Sequence, residues 1–291
     1  MLIFKDEIGK MRYESLGHAD SRKAERQRTQ KERELRMGFV EPISYLGGGL
    51  HLENGSSQVV TECTIVDNLS NGRGGGLFMQ NSSLMLVETT IDGNSAHQSR
   101  GGGIYFGGSS PTITGCTISN NDADNGGGIY CEYSNTIIMN GCTISKNSVN
   151  PGDGGGIYCK GGNMSLGDCV IDGNEAIHVS GDGGGIYATW SSLALNGCSI
   201  SNNTAKNRGG GFLPEYDEGS ALTDCMITGN RSYDDGGGIY SNFGGRNPSL
   251  LFVRLRYGGN ILLVNLIRWM SASMRLSLTR GWVTATSTTW V

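Results

Sequence analysis

Cys116-Thr-Ile-Ser-Asn-Asn121 and, after four residues, Gly126-Gly-Gly-Ile-Tyr130 form the stretch that decides the fold. Both halves recur along the chain. A Gly triplet opens at Gly47, Gly74, Gly101, Gly126, Gly154, Gly183, Gly209 and Gly236, at spacings of 27, 27, 25, 28, 29, 26 and 27 residues. A fixed period in this range marks a solenoid. A second landmark keeps step: Cys63, Thr89, Cys116, Cys142, Cys169, Cys198 and Cys225 each precede an Asn by five residues, namely Asn68, Asn94, Asn121, Asn147, Asn174, Asn203 and Asn230. The offset stays constant while the following loop varies, so this segment is one rigid element.

The shorter rhythm selects the type of solenoid. In Ser191-Ser-Leu193-Ala-Leu195-Asn-Gly-Cys198-Ser-Ile200 the apolar residues alternate, with one break at Asn196-Gly197. Period two with β-branched residues and Gly/Asn/Ser punctuation reads as short strands separated by turns. No stretch carries a helical stripe. The fold expected is all-β: a right-handed parallel β-helix of about eight coils, with three strands and three turns in each ~27-residue coil. Stacking at ~4.8 Å per coil would give a rod roughly 35–40 Å long.

Stacking places equivalent residues above one another. The Cys column (Cys116, Cys142, Cys169, Cys198 and Cys225 in its unbroken run) and the column Ile104, Ile129, Ile157, Ile186, Phe212 and Ile239 are expected to face the lumen. The Asn column (Asn121, Asn147, Asn174, Asn203, Asn230) is expected at a turn, each amide donating to the next. The Gly triplets are read as positive-φ turns before a strand.

Charge divides the chain in three. Met1–Met37 carries net +3, Gly38–Gly245 net −13, and Arg246 to the end net +6 with no acid. The acidic middle cannot supply the row of cations that a nucleic-acid groove needs. The expected organisation is a charged, helical or disordered segment over 1–40, the β-helix over 41–249, and a basic tail over 250–291. The first segment has no signal-peptide apolar run, and arginines interrupt the apolar residues of the tail, so neither a leader nor a membrane span is read in this sequence. The repeat collapses after Ser249, where a shift of reading frame is the expectation. The +1 frame permits a Cys overlapping Leu251 and Gly-Gly-Ile-Tyr overlapping Gly258–Ile261, which would make the tail non-native and the chain a fragment.

Cys116-Thr-Ile-Ser-Asn-Asn121 with Gly126-Gly-Gly-Ile-Tyr130, and likewise Ile144-Ser-Lys-Asn147 with Gly155-Gly-Ile157, resemble the right-handed β-helix repeat family of pectin-lyase-like fold. They are particularly similar to the repeats of chlamydial-type polymorphic outer membrane proteins, with Gly-Gly-Gly-Ile in place of Gly-Gly-Ala-Ile. The resemblance covers about 200 residues and is specific for fold rather than activity. It implies an extracellular or outer-membrane surface protein with a binding or structural role.

Eight Cys in an exported protein could form disulfides, but six share one lumen column and Cys131 and Cys159 form a second, which favours packed free thiols. No Cys/His cluster or calcium-binding nonapeptide occurs, so no metal or other cofactor is expected. Asp153, Asp182 and Asp235 precede Gly triplets where Arg73, Arg100 and Arg208 stand in other coils. A lyase would need acids around Ca²⁺ and a basic residue as proton acceptor, which Arg208 between Asp182 and Asp235 could imitate. The simpler reading is a cross-coil ion pair. Asp234-Asp235 is a poor glycosidase pair, because adjacent strand residues point to opposite sides. His51, His97 and His178 are scattered. No catalytic residue is assigned. The remaining candidate is aromatic: Tyr105, Tyr130, Tyr158, Tyr187 and Tyr240 each follow the inward Ile by one position, so an exposed outward stripe is expected, either a platform for carbohydrate or a cell-surface protein or a stabilising ring stack. The function expected is adhesion or a structural stalk without catalysis; the alternative is an extracellular polysaccharide lyase or glycoside hydrolase.

Overall fold

The computed structural model describes residues 44–242 apart from 56, 135, 217 and 218, together with short strands within 2–14 and 251–288. Residues 44–242 form an all-β, right-handed parallel solenoid of about seven turns, roughly 27 residues each, without helices among the described residues. None of these residues belongs to a helix long and apolar enough to cross a membrane.

Each coil has four short strands, not the three expected. One coil runs through Ser95–Arg100, Ile104–Gly107, Thr112–Thr114 and Thr117–Ser119 before the next begins at Asp122–Asn125. Like strands stack in parallel register, so Ile104 pairs with Ile129 and Thr117 with Thr143. The extra strand is the Thr-Ile-Ser segment between the Cys and Asn landmarks. Three residues are too few to show an alternation in sequence.

Four strands require four corners, and each corner is made by a residue with φ between about 47° and 71°. In the coil around Cys116 these are Gly101, Gly108, Gly115 and Asn120. L-residues resist this conformation, which explains the Gly, Asn and Asp at most corners. The first Gly of each triplet is such a corner. The second and third are glycine for another reason: a Cβ on Gly102 would stand 2.4 Å from the carbonyl oxygen of Asp122, and one on Gly103 would stand 2.6 Å from that of Gly128. Close approach of coils, not turning, therefore fixes two-thirds of the motif.

Three of the four corners break the sheet hydrogen bonding, and the residue after each repairs the damage. Asn121 donates from Nδ2 to the Ile91 carbonyl (3.1 Å) and to Asn147 Oδ1 (2.9 Å), while its backbone N–H donates to the same Asn147 oxygen (3.0 Å). The pattern repeats from Asn68 to Asn230, as the sequence predicts. The Cys column sits one corner earlier. Cys116 Sγ donates to the carbonyl of Thr114, two residues back, and receives the backbone N–H of Thr89 (3.4 Å). Thr89 Oγ1 makes the same bonds, to Val87 O (2.9 Å) and from Cys63 N (3.3 Å), so Thr replaces Cys without loss of register. The next corner upstream has a third column that sequence reading missed, of Ser82, Ser109, Ser134 and Ser191, in which the Ser134 hydroxyl is buried without a hydrogen-bond partner. Ser82 Oγ donates to Gln80 O at 2.9 Å and Ser109 Oγ accepts the Ser82 N–H at 3.3 Å.

The lumen is filled by buried apolar side chains. Ile104, Ile129, Ile157 and Ile186, the Cys column, Cys131 and Cys159 all belong to one buried apolar cluster. All eight cysteines are buried, and none is in a disulfide. Burial, then contact with Cys159, holds the Cys131 thiol well above the usual cysteine range, so it stays protonated.

Outside the solenoid, Leu2–Lys5 pairs antiparallel with Met11–Glu14, so that part of the N-terminal segment is strand rather than helical or disordered. β-Formers such as Ile3, Phe4 and Tyr13 account for this. The charged stretch 24–36 lies outside the described residues. So does about half of the tail with its reading frame; Leu251–Phe252 and Leu255–Tyr257 continue the stack in parallel, Leu255 lying over Cys225, and Ser273–Thr279 pairs antiparallel with Tyr240–Asn242.

Asn147→Ala removes two donated and two accepted bonds from the buried ladder. It should cost roughly 3–5 kcal/mol in urea unfolding, whereas a change at an exposed site such as Asn163→Ala should stay within about 0.5 kcal/mol.

Candidate functional site

The tyrosine column leaves the lumen as strand alternation requires, but it is not exposed. Tyr105 and Tyr130 are each 1% accessible, Tyr240 3% and Tyr187 7%, with Tyr158 half-buried. The column also includes His51, Phe78 and Leu213, which the sequence motif did not mark. Ring centroids of Phe78, Tyr105, Tyr130, Tyr158 and Tyr187 follow one another at 5.2, 5.7, 4.8 and 4.9 Å. Stacking alone would leave one edge wet. That edge is covered by residues standing just before the Gly triplets: the Arg73 guanidinium lies 4.9 Å from the Tyr105 ring centre, Arg100 5.1 Å from Tyr130, and Arg208 5.3 Å from Tyr240. The outward stripe is thus a second, roofed core.

Two carboxylates anchor the roof. Glu132 receives the Tyr105 hydroxyl and lies 3.4 Å from Arg73 and 3.2 Å from Arg100. Glu215 receives the Tyr187 hydroxyl and lies 3.9 Å from Arg208. Burial, then the bond to a carboxylate, raises Tyr105 and Tyr187; burial alone leads at Tyr158, pushed up to about 12. These hydroxyls remain protonated donors at physiological pH.

The acids before the Gly triplets form a fourth ladder. Asn125 Oδ1 accepts the Asp153 N–H at 3.1 Å, Asp153 Oδ1 accepts that of Asp182 at 2.9 Å, and Asp182 Oδ1 accepts that of Arg208 at 2.9 Å. Arg208 also grips Asp182 through Nη2 at 2.5 Å and Nε at 3.3 Å. The bond to Asp182 raises Arg208 above its ordinary value, the wrong direction for a group that must take a proton. Asp235 meets Arg208 through a backbone bridge. The lyase-like trio is therefore a partly buried structural network.

Other candidates stay apart. His97 and His178 are exposed, and His51 sits 3.2 Å from Glu53 at the first coil. No group of three or more His, Cys, Asp or Glu among the described residues is placed to hold a metal ion. Exposed aromatics lie away from the predicted stripe: Tyr133 is 66% and Trp190 51% accessible at one corner, where Trp190 stacks on Tyr216 with centroids 4.5 Å apart, and Tyr233 is 55% accessible beside Lys206 and Arg231.

A repetitive right-handed parallel solenoid with an apolar lumen, stacked Asn and Cys columns and Gly-packed coils is a right-handed β-helix. The sequence comparison agrees: the family described as right handed beta helix region matches residues 43–194, just over half of the chain, and the chain belongs to it. Residues 224–242 match the Chlamydia polymorphic membrane protein repeat, as the motif resemblance implies. Comparison with curated proteins and with solved structures finds no match.

Asp153 provides a pH test of the acid ladder. Burial, and then the charges of Asp182 and Glu215, raise it from 3.8 to about 6. The folded chain thus holds a proton that the unfolded chain has released between these values. Its contribution is fully present below about pH 4 and is lost as pH rises through 6. Asp153→Asn keeps the accepting oxygen without the charge. It should stabilise the chain by on the order of 1–2 kcal/mol at pH 7.5, with the gain vanishing near pH 4, measured by thermal melts at both values.

Proposed function

We propose that this chain is a secreted or surface-exposed β-helix that acts in adhesion or as a structural stalk, without catalysis of its own. The observation that carries the reading is the use of its reactive groups. Asp153, Asp182, Arg208, Glu132 and Glu215 are bound into cross-coil ladders, and the Tyr hydroxyls are tied to the same carboxylates. A general base or nucleophile needs a lone pair aimed at open space. The repeat matched at 224–242 is that of a membrane protein, which supports a place at the cell surface.

The competing reading is a polysaccharide lyase or hydrolase on the same scaffold. Purified chain incubated with polygalacturonate, pectin and alginate, with and without Ca²⁺, should release neither unsaturated ends nor new reducing ends above the protein-free blank. Either product above the blank would overturn the proposal.

A further inference from the structure

The second corner of each coil ends the strand that follows the Gly triplet. Its φ-positive residue is Asn54, Asn81, Gly108, Tyr133, Gly161, Trp190 and Tyr216 in successive coils. Asn and Gly are the residues this conformation favours, whereas large aromatic side chains there are outliers. Tyr133, Trp190 and Tyr216 hold φ values of 50°, 52° and 50°. The chain accepts that strain at three corners within four coils and leaves the first two rings mostly in water. Neither burial nor turn chemistry explains the choice, and strain of this kind persists where a site requires it.

The three rings lie on one edge of the rod. Trp190 and Tyr216, in adjacent coils, stack nearly parallel at 7°. Tyr133 leans along the same edge, its Cδ1 only 3.0 Å from where a Cβ on Gly161 would be, so the intervening glycine makes room for the ring. The backbones of Tyr133 and Trp190 are two ladder steps apart, about 10 Å. That is close to one extended disaccharide. Lys160 and the exposed Asn163 lie beside this edge in the Gly161 coil and supply polar groups.

We propose that Tyr133, Trp190 and Tyr216 form a binding ridge for an extended, neutral, pyranose-based polysaccharide. Trp190 and Tyr216 cover one face of each other, so sugar rings would lay their C–H faces on the Tyr133 ring and on the outer faces of the Trp190–Tyr216 pair while their hydroxyls stay hydrated. Charge selects the neutral class: the segment Gly38–Gly245 carries net −13, so a polyuronate would be repelled. The proposal rests on the adhesive reading above and gives it a ligand class.

The test uses residues that the fold itself places at this corner. Tyr133→Asn, Trp190→Asn and the double variant copy Asn54 and Asn81, so they should fold with melting temperatures equal to or above that of the parent chain. Cello-, chito-, manno- and xylohexaose are titrated against the full chain by calorimetry, with hexagalacturonate as the anionic comparison. At least one neutral hexaose should bind, and each Asn substitution should weaken it about tenfold. Hexagalacturonate should bind more weakly than that ligand. Two results would overturn the ridge: no binding of any neutral hexaose by the parent chain, or binding unchanged in the folded double variant. Release of unsaturated or reducing ends from the hexaoses would instead sink the non-catalytic reading while leaving the ridge in place.

Discussion

Everything in this solenoid depends on how its corners satisfy the backbone. A coil that turns four times in about 27 residues carries its backbone ladder through the Gly-triplet corner, where Gly101 to Ile104 all donate to the next coil, but at the other three corners a carbonyl and an N–H face the lumen without a backbone partner. Unpaired, such groups would cost several kcal/mol per coil. The chain answers with one device used three times. A residue in the left-handed region makes the corner, and the side chain of the next residue folds inward. Ser, Cys or Thr donates to the carbonyl two residues back, while Asn donates to the coil before and the coil after. Each also receives an N–H from the preceding coil.

Several otherwise odd features follow. Cysteine recurs because a thiol is apolar enough for the lumen and still donates at 3.2–3.6 Å to the corner carbonyl, from Cys63 through Cys225. Glycine fills the triplets because carbonyls of neighbouring strands occupy the Cβ positions. The acid ladder before the triplets follows the same logic at the remaining corner, with Asp153 and Asp182 oxygens receiving N–H groups from the following coil. Charges spent this way, and tyrosines roofed by arginine, leave function to the outer edges of the rod.

The period, the parallel β-helix and the Asn and Cys columns were legible because identical residues repeat at a constant offset, which only stacking explains. Other features lay below that resolution. The Thr-Ile-Ser strand is too short to alternate, so four sides read as three. The Ser column is broken by Gly162 and lost among other serines. Alternation correctly turned Tyr105 and Tyr130 away from the lumen, but it carries no information about what covers them. Arg73 and Arg100 reach their rings from about 30 residues away in sequence. Tyr133 and Trp190 belong to no repeated motif, and only their backbone conformation and exposure set them apart.

The central claim is that the Cys column is a hydrogen-bonding ladder and not simply apolar filling. Comparison of Cys142→Thr with Cys142→Val isolates this, since the two side chains share branching and size and differ in the donor. Thr keeps a group able to reach the Asn140 carbonyl, now 3.4 Å from Sγ, and Val does not. Urea unfolding should find the Thr variant more stable than the Val variant by roughly 1–2 kcal/mol. Equal stability, or an advantage for Val, would contradict the account.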